Sequence, residues 1–165
     1  MEYSGPVYRA LNPVYARDPL SGRGAALYGG RFNSKGTLAL YGALEIMTAV
    51  REANQVGALQ PTTLVSYDAK VERVFSARDE KALAAHGVDE ATLADNGWRD
   101  EMKLTGISRT QAFSQRLIAE GYHGLLVRSF APGSSATDMN LVLWTWGPTA
   151  PSRLTLIDDE SRLSR

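Results

Sequence analysis

Residues 29–52, GGRFNSKGTLALYGALEIMTAVRE, decide how this chain is to be read. Two glycines precede an arginine, a short apolar run ends in a tyrosine, and a helical pattern then carries a glutamate. Gly29 and Gly30 permit backbone angles that strain other residues, and they let a ligand approach the main chain closely. Arg31 therefore leaves a sharp turn, a placement suited to gripping an anion. Leu38 and Leu40 alternate with Thr37, Ala39 and Tyr41, the period of a half-buried strand. From Gly42 the period becomes helical, with Leu44, Met47 and Val50 or Arg51 about a turn apart. Glu45, Thr48 and Glu52 are then expected to line a stripe on the face opposite the packed side, with Tyr41 looking toward it.

On the N-terminal side of this segment, Val7, Tyr8 and Arg9 begin a strand, and residues 12–24, rich in Pro, Asp, Ser and Gly, read as a long loop able to cover a site. On the C-terminal side, Thr63, Val65 and Tyr67 alternate as a strand, and residues 71–75 suggest another. Residues 79–86 form a short helix with Gly87 as its stop, and Asp89 starts a second that ends near Asn96 and Gly97. Ser108 and Gln111 have capping-box spacing before Phe113, Leu117 and Ile118, with Gly121 ending that helix. Residues 122–130 and 140–146 are apolar strands separated by APGSSATD, a run of small and turn-forming residues. Residues 154–157 suit a final edge strand, and the polar tail from Asp158 is expected to fray. Strands interspersed with helices, without strict alternation, favour an α+β class over a doubly wound parallel sheet.

The 165 residues suit one domain, residues 1–165, since a chain of this size buries about 70% of its unfolded surface. Hydrophobic residues at 44% and charged residues at 22% are ordinary for a globular protein. The 18 basic residues balance the 18 acidic ones, so no global field attracts nucleic acid or an anionic membrane. Absence of cysteine excludes disulfides, thiolate catalysis and cysteine metal sites. No apolar run approaches a membrane span and MEYSGPVYRA lacks a signal-peptide core, so the expected location is cytoplasmic.

Four pieces in order carry a family resemblance: Arg31 in GGRFN, Tyr41 in LALYGALE, Glu52 in AVRE, and Ser129 in GLLVRSFAPGSSATDMNLVLW. The chain resembles the RES domain family from YRA at Tyr8 to the strand ending near Trp146. That resemblance implies the toxin of a bacterial toxin–antitoxin pair, with a split, partly antiparallel sheet flanked by helices as in ADP-ribosyltransferases, consuming NAD+ as a substrate. It also implies a cognate antitoxin with a helix-turn-helix domain and a segment that blocks the NAD+ pocket. Two positions depart from the family pattern. Arg128 stands where a proline usually precedes the motif serine, and Phe32 where tryptophan is common.

Cleaving the nicotinamide–ribose bond builds positive charge on the ribose, so a phosphate-binding arginine and a carboxylate at the ribose are the groups this reaction most needs. Arg31 suits the bidentate phosphate grip, with Arg9 and Arg23 as alternatives. Glu52 suits the ribose hydroxyls and the developing cation. Tyr41 is placed to stack on or bond near nicotinamide, and Ser129 to orient the ribose or the carboxamide. Taken singly, each has a structural reading as well: Arg31 and Glu52 as an ion pair, Tyr41 as core, Ser129 as a strand end. Lys35 reads as a solvated turn residue, and Trp98, Trp144 and Trp146 as packing.

Other chemistries find less support. His86 and His123 lack metal-ligand spacing, and no metal is expected. VRSFA is not a nucleophile elbow, and the glycines form neither a Walker loop nor a Rossmann fingerprint. The reading is an ADP-ribosyl-transferring enzyme that modifies a protein target. The alternatives are NAD+ phosphorolysis or hydrolysis, and, in another class, a noncatalytic dinucleotide- or partner-binding module.

Overall fold

Alternating side chains place the strands of this protein at its centre, and the computed structural model describes residues 1–55 and 57–164. The strands are β1 (Tyr3–Leu11), β2 (Leu40–Ala43), β3 (Thr63–Val71), β4 (Val74–Ser76), β5 (Gly124–Arg128), β6 (Met139–Leu143) and β7 (Ser152–Leu156). They form one mixed sheet in the order β4-β5-β6-β2-β1-β3-β7. Among these strand pairs of the described residues, β4 and β5 run parallel and the others antiparallel. Around the sheet stand α1 (Arg23–Tyr28), α2 (Ile46–Ala53), α3 (Glu80–Ala85), α4 (Glu90–Ala94), α5 (Trp98–Thr105) and α6 (Arg109–Ala119). The fold is the expected α+β class.

Both faces of the sheet are covered, which explains the near-continuous apolar runs of β5 and β6. Along β5, Leu126 enters one core with Val7, Tyr67 and Leu141, while Leu125 and Val127 enter the other with Phe75, Phe113 and Leu117. Along β6, Leu141 and Leu143 lie on the first side and Val142 on the second. Period-two alternation thus divides one strand between two cores. Helix α6 packs on the second core through Phe113 and Leu117 and carries the predicted capping box. Ser108 Oγ accepts from the Gln111 amide at 3.1 Å, and Gln111 Oε1 accepts from the Ser108 amide at 3.0 Å.

The sheet is split at its middle. β1 and β3 pair over nine positions, from Tyr3↔Val71 to Leu11↔Thr63, whereas β1 and β2 meet through the single pair Tyr8↔Ala43. Gly42 lies at this seam, and a β-carbon there would stand 2.3 Å from Val7 Cγ1. The missing side chain is what allows the two half-sheets to touch.

Four local expectations are corrected. The strand continues past Tyr41 to Ala43, because residues 40–43 pair with β6, and α2 begins at Ile46 instead of Gly42. The packed side of α2 also differs from expectation: Thr48 and Ala49 are buried, while Ile46 and Met47 are 49% and 56% exposed. The stretch read as a loop over residues 12–24 ends in α1, and α5 follows Gly97, where a stop was expected. Neither helix has a capping side chain at its start, so neither announces itself in the sequence. In the tail, Asp158 accepts from the amides of Arg162 and Leu163 at 2.8 and 3.1 Å, and Leu163 packs against the first core.

Gly42→Ala should push Val7, which is fully buried, out of place and cost about 1–3 kcal/mol. For a domain of this size that lowers the melting temperature by roughly 2–4 °C per kcal/mol. Scanning calorimetry of Gly42→Ala and of the double variant with Val7→Ala checks this, because removing the Val7 methyls should restore part of the loss.

Candidate functional site

The turn that follows α1 is built by buried polar side chains. Gly29, at φ 74°, takes the chain out of α1 in a conformation that favours glycine. Asn33, fully buried, donates through Nδ2 to Ala25 O at 2.8 Å and Thr37 O at 3.0 Å. Its Oδ1 accepts from the Tyr41 hydroxyl at 2.6 Å, and that hydroxyl accepts from the Phe32 amide at 3.0 Å. Gln111, also fully buried, reaches across from α6 and donates to Gly30 O at 2.9 Å. Gly30 is required for the approach, since a β-carbon would lie 2.5 Å from both the Tyr41 hydroxyl and Asn33 Oδ1. Burial raises the Tyr41 pKa, so the phenol stays protonated at neutral pH and keeps donating to Asn33.

Beside this turn lies an open cavity of about 420 Å³ whose lining includes Arg31, Tyr41, Glu52, Trp98, Arg99 and Phe130. Arg31 does not pair with Glu52. Its Nη1 donates to Leu93 O at 2.9 Å and Asp95 O at 2.8 Å, its Nη2 to Asn96 Oδ1 at 3.0 Å, and its guanidinium lies 5.3 Å from the centre of the Phe130 ring. The planar fork therefore ties the turn between α4 and α5 to the glycine turn. Burial lowers the Arg31 pKa from its ordinary value.

Glu52 projects from the last turn of α2 into the same cavity. Its Oε1 accepts from the Ser129 hydroxyl and from Asn140 Nδ2, the latter at 2.7 Å, and its Oε2 accepts from Gln55 Nε2 at 3.0 Å. Ser129 is only 1% exposed and does not line the cavity, and its hydroxyl also meets Ser134 Oγ at 2.9 Å. Its contact with the site runs through the Glu52 carboxylate, whereas the sequence reading placed it directly against a ligand. In the sequence Asn140 marks only the beginning of a strand. Register reveals its place: it sits opposite Ala43 on β2 and Val127 on β5, level with the end of Glu52's helix.

The four motif residues converge, and the other candidates fall elsewhere. Arg9 donates to Pro19 O at 2.9 Å and lines a second cavity of about 260 Å³ that shares Tyr41, Glu52 and Asn140 with the first. Arg23 is exposed on α1 and lines neither cavity. Arg128 lines the main cavity and pairs with Glu90 at 2.7 Å. Trp144 donates to Phe32 O at 2.8 Å from within the core, while Trp98, read as packing, forms part of the cavity wall. The His86 ring bonds to Ala82 O and Glu120 Oε2 and the His123 ring to Glu72 O, each at 2.8 Å, and neither lines the two cavities that Glu52 reaches.

A family model described as RES domain matches residues 6–164. Among solved structures, a chain of the crystal structure of the M. tuberculosis MbcT-MbcA toxin-antitoxin complex matches with a TM-score of 0.67 and 23% identity, over 96% of this chain and 84% of that one. At that identity the likeness speaks for the fold. No curated protein matches.

Arg31→Lys keeps the charge but cannot reproduce a fork that reaches three acceptors. The variant should lose about 2–3 kcal/mol of stability, and amides near Asn96 should exchange faster with solvent. Thermal unfolding and hydrogen exchange measure both effects, and an unchanged melting temperature would mean that these bonds do not hold the turn.

Proposed function

This chain belongs to the RES domain family, and from that premise we propose that it cleaves the nicotinamide–ribose bond of NAD+ and transfers the ADP-ribosyl group to an acceptor, as the toxin of a bacterial type II toxin–antitoxin pair. The observation that carries the reading is the Glu52 carboxylate, fixed by Ser129 and Asn140 in the wall of a cavity where it is the sole acidic group among the lining residues. As the bond from ribose C1′ to the pyridine nitrogen breaks, its electron pair leaves with neutral nicotinamide. Positive charge then spreads over C1′ and the ring oxygen, and a preorganised carboxylate stabilises it. The acceptor supplies the electron pair for the new bond to C1′ and loses its proton.

In this reading Arg31 adds positive charge on the side of the diphosphate, and the Tyr41 ring forms a wall for the nicotinamide. Ser129 acts by holding Glu52. The acceptor we favour is a protein side chain, reached through the open rim beside residues 132–138. A second reading, transfer to phosphate or water, is supported by the smaller cavity. It reaches Glu52 from the Arg9 side and would admit a small acceptor. Mass spectrometry of the products, with and without phosphate and cell protein, separates the two. A noncatalytic binding module would bind NAD+ without consuming it.

An enzyme that drains NAD+ or modifies an essential protein harms its own cell, so a cognate antitoxin with a helix-turn-helix domain belongs to this reading. The similar M. tuberculosis structure is described as a toxin-antitoxin complex. Expression of this chain alone should arrest growth, and co-expression of the adjacent antitoxin should restore it. Vigorous growth at high expression of intact protein would remove the toxin reading.

Glu52→Gln keeps volume and removes charge. Nicotinamide release should fall on the order of 10²–10³-fold while NAD+ affinity changes little, because the charge matters most in the transition state. Turnover, calorimetric affinity and melting temperature are to be measured on one preparation. A well-folded variant with near-normal turnover would exclude Glu52 from catalysis.

A further inference from the structure

Three arginines, Arg31, Arg99 and Arg128, line the main cavity against the single carboxylate of Glu52, a formal balance of two positive charges. Their guanidinium groups differ in how far they are already engaged. Arg31 donates to Leu93 O, Asp95 O and Asn96 Oδ1 at 2.8–3.0 Å. Arg128 donates to Glu90 at 2.7 Å. Arg99 makes no hydrogen bond or ion pair among the described residues, although Asp100 and Glu101 follow it in the chain. Glu101 is bound to Arg109 at 3.1 Å. The Arg99 guanidinium instead lies 4.6 Å from the centre of the Trp98 ring, and Trp98 is itself 7% exposed and part of the cavity wall.

This arrangement leaves donors available. A guanidinium held over an aromatic face is attracted by the ring without a hydrogen bond to a protein acceptor, and its N–H donors are not taken up by oxygen partners. Trp98 thus limits where the arm can swing without occupying its hydrogen-bond donors, which lowers the entropy lost when an anion is gripped. Arg31 and Arg99 line the same cavity, and burial lowers the Arg31 pKa, with the Glu52 charge opposing that shift and the like charge of Arg99 adding to it. An anion held between them offsets those like charges.

We infer that Arg99, carried on the first turn of α5 and braced by Trp98, is the residue that directly grips the diphosphate of the dinucleotide, while Arg31 chiefly anchors the turn beside it. The inference rests on the NAD+-consuming reading for the identity of the ligand. Two negative phosphates match the charge balance of the cavity, and a planar donor fork suits adjacent phosphate oxygens.

The test uses the whole chain and its Arg99→Ala and Arg99→Lys variants. Steady-state nicotinamide release gives kcat and KM for NAD+, and calorimetry gives the affinities for ADP-ribose and for adenosine, which lacks phosphate. Arg99→Ala should raise KM for NAD+ and Kd for ADP-ribose roughly ten- to hundredfold, the effect of losing hydrogen bonds to a charged group. Its kcat should stay within about threefold of the parent, as expected when binding is lost equally from ground and transition states. Adenosine affinity should not change, and Arg99→Lys should recover part of the loss. Unchanged ADP-ribose affinity, or an equal loss for adenosine, would overturn the assignment. So would a variant whose KM for NAD+ is normal but whose response to added inorganic phosphate is weakened, which would place Arg99 at the acceptor. Parent protein that releases no nicotinamide would end the NAD+-consuming reading separately. In that case ADP-ribose binding lost on Arg99→Ala would still uphold a diphosphate grip, and absence of ADP-ribose binding would overturn it.

Discussion

The two halves of the sheet touch through one residue pair, Tyr8↔Ala43, and that contact exists because Gly42 has no side chain to hold Val7 away. Much of the site follows from this seam. β2 borders it carrying Tyr41, and α2 follows after a two-residue link, bringing Glu52 to a cavity lined also by Tyr8, Gly42 and Ala43. β6 pairs with β2 and brings Asn140 level with Ala43, while β5 pairs with β6 and leads into Ser129. The partners that fix Glu52 are 77 and 88 residues away in sequence, yet they are set by the register of neighbouring strands. A one-residue slip would send each of these side chains to the opposite face.

Two of the buried polar residues hold the glycine turn. Asn33 and Gln111 are fully buried, and both have hydrogen-bond partners on the carbonyls of residues 25–37. Leaving one such group unpaired costs about 1–3 kcal/mol, so the network defines a single arrangement of the glycine turn. Of the three buried side-chain atoms without a partner among the described residues, Asn140 Oδ1 and Arg128 Nε belong to residues that line the main cavity, and Thr48 Oγ1 belongs to α2. Unsatisfied groups in a native structure collect at such places, where the rest of the fold supplies the stability.

Charge is divided in a way that suits a ligand with an anionic centre and a cationic reacting end. The arginines gather around the turn between α4 and α5, at the end of β5 and beside the glycine turn, and the carboxylate stands apart on α2. Arg31 is hydrogen-bonded by carbonyl oxygens instead of Glu52, so the two charges act on each other across the cavity without forming an ion pair. The whole-chain net charge of +0 conceals this separation, since a balance of 18 and 18 says nothing about where the charges lie.

Sequence by itself determined the α+β class, most of the strands, the capping box at Ser108 and Gln111, and the four residues that carry the family resemblance. These are legible because period-two alternation, turn glycines and capping spacing are local, and because a motif keeps its order whatever the fold does with it. It did not determine the start of α2 or which of that helix's faces packs. Pairing of Gly42 and Ala43 with β6 outweighs their local pattern, and the small residues Thr48 and Ala49 pack where the larger Ile46 and Met47 would be expected to. Helices α1 and α5 begin at glycines without capping side chains, which leaves no local start signal. The partners of Arg31, the placement of Ser129 behind Glu52, the contribution of Asn140 and the free donors of Arg99 were decided only by tertiary structure. Each depends on distances between segments far apart in the chain, and no periodicity within a segment encodes them.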